Sequence, residues 1–170
     1  MARSDRLSVV VCDAGPIIHL DELESLPLLR DFRAVLVPQA VWDEVSRHRP
    51  QALKHPEVPL RWVSAPPVIG PDLAAVSRLF PLHEGETQAL SVARVSQADL
   101  MLTDDTAARL AARHLGIPVH GSIGILLRAI RRGQRSRDEI LALLRLIPNR
   151  STLHIKPALL ADIIRQVEDR

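Results

Sequence analysis

Five acidic side chains stand where a carboxylate meets apolar neighbours or crowds another acid. The run VVVC ends on Asp13, so a buried strand would carry an acid at its tip. After Pro38, the stripe Val37, Val41 and Val45 is bordered by Glu44, three residues from Val41 and four from Ala40, while Asp43 points away. Glu86 lies three, four and seven residues from Ala89, Leu90 and Ala93, inside an apolar arc, with Glu84 on the opposite side. Asp104 and Asp105 close the run DLMLT.

Each acid alone has an ordinary explanation. Asp13 suits a turn, Glu44 a helix edge, Glu86 the first turn of a helix, and Asp104–Asp105 the cap of the next one. Together they point to a site, because carboxylates sharing one pocket repel each other and call for a cation. The expected ion is Mg²⁺ or Mn²⁺, hard and oxygen-liganded, since the chain has one cysteine and no paired-histidine motif. One or two such ions would activate a water and stabilise the leaving oxygen of a phosphodiester. No Ser-His or Cys-His arrangement offers a covalent route.

The elements that must position these acids alternate in type. Strands are expected over residues 7–13, 32–37, 99–103 and 117–120. Residues 50–70 hold five of the 13 prolines and read as a loop, with room for a short strand at LRWVSA. Helices open at Gly15-Pro16 and at Pro38, where a missing N–H costs nothing. Others cover 72–80, 83–97, 106–115 and 122–132, then run near 136–147 and 156–167. Gly116 and Gly133 end two of them, and Ser122 reads as an N-cap. This order predicts an α/β fold, a mostly parallel central sheet flanked by helices on both faces, with extra C-terminal helices. In such sheets, sites form outside the carboxyl ends of the strands. Asp13 and the Asp104–Asp105 pair both fall there.

At 170 residues one domain is expected, a core to residue 127 and a helical extension over 128–170. A lone cysteine, Cys12, excludes an internal disulfide framework and suits a reducing cytoplasm. There is no signal-length apolar segment and no run long enough to span a membrane. Net charge is only +2, and aromatic residues make up 2% with no tyrosine, so contact with nucleic acid should run through phosphates rather than stacked bases.

The segments VVCDAGPIIHL, PQAVWDEV, HEGETQALSVA and DLMLTDDTAARLAARHLGIPVHGSIGIL resemble the PIN-domain family, and within it the VapC-like toxins of prokaryotic toxin–antitoxin pairs. The resemblance implies a metal-dependent ribonuclease that cuts RNA, pairs with a cognate antitoxin protein and forms a homodimer. By position it makes Asp13, Glu44 and Glu86 catalytic metal ligands, with Asp104 or Asp105 as the fourth. Spacing from Thr103 favours Asp105. Two places depart from the family pattern. Gly15 stands where many relatives carry Ser or Thr, and TDDTAAR lacks the aromatic that commonly ends the fourth motif. Both departures suit an alternative, an inactive scaffold working through protein or RNA contacts.

The segment RAIRRGQRSR, residues 128–137, holds five arginines. It reads either as an RNA-phosphate patch, with Arg128, Arg131 and Arg132 as contacts, or as a solvated helix end. The stripes Ile140, Leu143, Leu144, Ile147 and Leu159, Leu160, Ile163, Ile164 either close the core or, as the resemblance favours, form the dimer surface.

Overall fold

The computed structural model describes residues 8–64 and 69–170. Five strands make one all-parallel sheet: β1 (Val9–Cys12), β2 (Ala34–Pro38), β3 (Leu60–Val63), β4 (Leu100–Leu102) and β5 (Val119–His120). Their order across the sheet is β3-β2-β1-β4-β5, which places β1 at the centre. Val10 and Cys12 point to one face and Val11 to the other, all fully buried. A central parallel strand with helices on both faces has no wet side, hence the unbroken apolar run.

The helices are α1 (Ala14–Glu22), α2 (Gln39–His48), α3 (Pro71–Leu79), α4 (Glu84–Val95), α5 (Thr106–His114), α6 (Ser122–Arg131), α7 (Arg137–Arg150) and α8 (Pro157–Glu168). One face carries α3, α4 and α5, whose Leu73, Val76, Ala89, Leu90, Ala108 and Ala111 pack on Val11 and Met101. The other carries α1, α2, α6, α7 and α8 around Val10, Val35 and Leu102.

Strand and helix order is as expected, and the differences lie at element ends. Leu7, placed in the first strand by its sequence, lies outside the described residues, as does the Ala65 end of LRWVSA. Two short 3-10 helices, Leu26–Asp31 and Pro50–Lys54, occupy stretches with no periodic signal. The helix expected over 83–97 stops at Val95, and Gln97 then takes φ 50. Gly116 and Gly133 sit at φ 69 and 66, left-handed positions that glycine fills without strain. Half of the stripe of α7 and α8 is buried within the chain. Ile140, Leu144, Ile147 and Leu160 join the main core, while Leu143, Ile163 and Ile164 stay partly buried and Leu159 is exposed.

Candidate active site

The carboxyl ends of β1 and β4 lie side by side, since Cys12 pairs with Leu102 and the Asp13 N–H donates to the Leu102 carbonyl at 2.9 Å. This alignment places Asp13 next to the chain that carries Asp104 and Asp105. Around them opens a cavity of about 350 Å³ lined by Asp13, Glu44, Glu86, Asp104 and Asp105, with His19 and His83. All five predicted acids therefore meet in one pocket.

Helix α2 delivers Glu44 because its buried stripe, Val41 and Val45, turns that edge toward α4. Gln88 of α4 accepts the Ala40 N–H at 2.9 Å and fastens the two helices together. The nearness of the acids shows at Gly85, where a Cβ would lie 3.7 Å from Glu44 Oε2 and 3.9 Å from Asp13 Oδ1. Glu86 performs two tasks. Its Oε2 accepts the His83 N–H at 2.7 Å, a helix-start contact, while the residue is buried at the pocket wall.

Asp13 is almost fully buried and accepts two hydrogen bonds, from the Thr103 hydroxyl at 2.8 Å and the Ala14 N–H at 2.9 Å. Burial outweighs both, and with Glu86 and Glu44 nearby it pushes the carboxyl up to about 7. Glu86 is raised as well, by burial first and then by Asp105 and Glu44, against the His83 contact. Thr103 ties the cluster together, because its hydroxyl also accepts the Asp105 N–H at 3.2 Å. Asp105 caps α5 through Oδ1, which accepts the Ala108 N–H at 2.7 Å.

Asp104 is occupied differently. Its Oδ1 accepts the Ser122 N–H at 2.7 Å, its Oδ2 accepts the Ser122 hydroxyl at 2.6 Å, and His19 Nδ1 lies 2.7 Å from the same Oδ2. Burial alone would raise this carboxyl, but the His19 and Ser122 contacts outweigh it and hold it below the usual range. Ser122, expected to cap its helix, is instead the first residue of α6 after Gly121, and it spends its hydroxyl on Asp104. Gly121 is required there: a Cβ would sit 2.6 Å from Asp104 Oδ1 and 2.9 Å from the Arg109 guanidinium. At Gly15, a Cβ would lie 3.4 Å from His19 Cε1 and 3.6 Å from Asp104 Oδ2. The position where a hydroxyl residue was expected thus faces a carboxylate that Ser122 already serves.

The sequence marks no role for His19, His83 or the Thr152–His154 segment, although all of them line the pocket. Nothing in a lone histidine's neighbours signals a contact made 85 positions away. The arginine trio lies elsewhere. Arg128 forks onto Asp31 at 3.0 Å to each oxygen and stacks 4.3 Å over Phe32, and Arg132 joins Asp31 at 3.1 Å. Arg131 makes no ion pair among the described residues.

Among the described residues, no three acidic, histidine or cysteine side chains stand close enough for a ready-made ion cage. The donor chemistry nevertheless fits a hard divalent cation: the available donors are carboxylate oxygens, and Asp13 and Glu86 bear a charge penalty that a cation would relieve.

A family model described as a PIN domain matches residues 9–169. No curated protein matches the sequence. Among solved structures, the chain is similar to a PilT N-terminus domain protein from the hyperthermophilic archaeon Sulfolobus solfataricus P2. The identity is 17% and the TM-score 0.50, over 72% of this chain and 93% of that one.

Proposed function

Because this chain belongs to the PIN-domain family, whose members are generally nucleases that use divalent metal ions, we propose that it hydrolyses RNA with Mg²⁺ or Mn²⁺. The observation that carries this reading is the meeting of Asp13, Glu44, Glu86 and Asp105 in one pocket at the strand ends. These four would hold the ion. Asp104, its oxygens taken by Ser122 and His19, would position the pocket wall instead. When bound, a divalent ion supplies Lewis acidity to the phosphodiester and to the attacking water. Thr103 fixes Asp13 and Asp105 relative to each other, and the His83 N–H fixes Glu86. Arg131, which makes no ion pair among the described residues, would meet an RNA phosphate.

The finer role we propose is that of a cytoplasmic toxin held in check by a cognate antitoxin. No helix among the described residues is long and apolar enough to cross a membrane. The homodimer implied by the family resemblance would use apolar side chains left exposed, such as Leu79, Val95 and Leu146. The competing reading, an inactive scaffold, draws on the absence of a ready-made ion cage among the described residues.

Cleavage of a mixed RNA pool in Mn²⁺, then in EDTA, separates the two readings. Metal-dependent cleavage that disappears in Asp13→Asn supports the nuclease. No cleavage and no saturable heat on titrating Mn²⁺ into folded protein would hand the chain to the scaffold reading.

A further inference from the structure

A second cavity, about 580 Å³, adjoins the acid pocket and shares Asp104, Leu153 and His154 with it. It lies between α5, the start of α6, α8 and the segment that joins α7 to α8. Three cations converge on it: Arg109 and Arg113 from α5, and Lys156 from the joining segment. None has an ion-pair partner among the described residues, whereas Arg49, Arg94 and Arg128 each meet an aspartate. The acid in the lining is Asp104, and its oxygens are committed to Ser122 and His19. His120 in the same lining is lowered by burial first and then by Arg131, Arg109 and Arg128, of which Arg109 lines the cavity.

The floor of the cavity is aliphatic. Leu110 and Leu159 leave 43% and 52% of their surface exposed, and Ile123, Ile155 and Ile163 lie beside them. The joining segment is held in place rather than loose. Glu22 accepts the Ser151 hydroxyl at 2.8 Å, the Thr152 N–H at 2.7 Å and the Thr152 hydroxyl at 2.9 Å. That anchor fixes Lys156 and His154 relative to the acid pocket.

We propose that this groove is the subsite for the single-stranded RNA segment flanking the bond to be cut, with phosphates on Arg109, Arg113 and Lys156 and a nucleoside on the aliphatic floor. The assignment rests on the ribonuclease reading above. Phosphates set the register, and an aliphatic floor, with no hydrogen-bonding group for a base edge, discriminates weakly between bases. Continuity through Leu153 and His154 gives a strand in the acid pocket a direct path into the groove.

Binding measured in EDTA isolates this proposal from catalysis. The full chain is titrated against a fluorescein-labelled single-stranded RNA of ten nucleotides, by anisotropy, over a range of salt. Both Arg113 and Lys156 are exposed, so Arg113→Glu with Lys156→Glu should fold, with Arg113→Ala and Lys156→Ala as milder replacements. Arg33→Glu with Arg61→Glu, also exposed, matches the charge change elsewhere. The expected result is at least a tenfold loss of affinity in the groove variant beyond that of the control, and a salt slope shallower by about 1.4 units for the two phosphate contacts removed. In Mn²⁺ the same variant should raise KM for long RNA while leaving kcat and dinucleotide cleavage unchanged. Equal binding by the groove and control variants overturns the subsite and leaves the nuclease standing. Competition by polyglutamate as strong as by unlabelled RNA also overturns it, giving the groove to an acidic peptide. A wild type that binds no RNA overturns both.

Discussion

Asp13 and Asp104 sit at neighbouring strand ends, face one pocket and have opposite electrostatics. Asp13 is buried with two hydrogen bonds and other carboxylates around it, and its carboxyl rises to about 7. Asp104 is nearly as enclosed, yet Ser122 and His19 hold it below the usual range. Burial is common to both, so the partners decide the outcome. A carboxylate satisfied by protein donors is a structural fixture, and one left with unmet charge is suited to a cation.

The largest effects should come from removing the carboxylates proposed to hold the ion. Asp13→Asn and Asp105→Asn should each lower RNA cleavage about 1,000-fold, whereas Asp104→Asn should lower it only about 10- to 100-fold, as supporting residues around metal ligands usually do. Initial rates at saturating Mn²⁺ measure this, and an Asp104 loss equal to that of Asp13 would erase the contrast.

The pH dependence of stability sharpens it next. Asp13 titrates near 7 in the fold and near 4 unfolded, so its ionisation opposes folding. Without metal, the Asp13 contribution should weaken stability as pH rises from about 4 through 7. Asp13→Asn should therefore raise Tm at pH 8 by at least about 3 °C, and the gain should shrink by pH 5. Asp104, lowered in the fold, has the opposite sign: the stability it contributes is lost as pH falls through its depressed carboxyl range. Thermal melts of Asp13→Asn and Asp104→Asn at both pH values, in EDTA, check both signs.

Smaller effects test the scaffolding. Gly121→Ala forces a Cβ to 2.6 Å from Asp104 Oδ1 and should cost about 1–3 kcal/mol in denaturant unfolding. Arg128→Ala, which releases Asp31 and uncovers Phe32, should cost about 1–2 kcal/mol and leave KM for RNA unchanged. A raised KM would instead return Arg128 to the RNA interface.

Much of the site was legible because helix and strand periodicity fixes direction. The spacing of Glu44 from Val41 and of Glu86 from Ala89 and Leu90 turned both acids toward the sheet, and both line the pocket. Asp13 and the Asp104–Asp105 pair were legible as strand tips. The difference between Asp104 and Asp105 was not, because adjacent residues share every local signal and differ only in which distant side chains reach them. His19 and Ser122 lie 85 and 18 positions from Asp104. The fate of the C-terminal stripe was likewise open, since an apolar face looks the same whether its own chain or a second copy covers it.

The sequence by itself determined the alternation of strands and helices, the parallel sheet and the acids at its carboxyl edge. Those follow from short-range rules: side-chain periods, β-branched runs, and proline and glycine at element ends. Only the tertiary structure decided which carboxylates are satisfied, and that Arg128 and Arg132 are bound to Asp31. It also decided that Arg109, Arg113 and Lys156 line one groove. Charge and hydrogen bonding act between side chains that the fold brings together, and local spacing carries no record of partners a hundred residues apart.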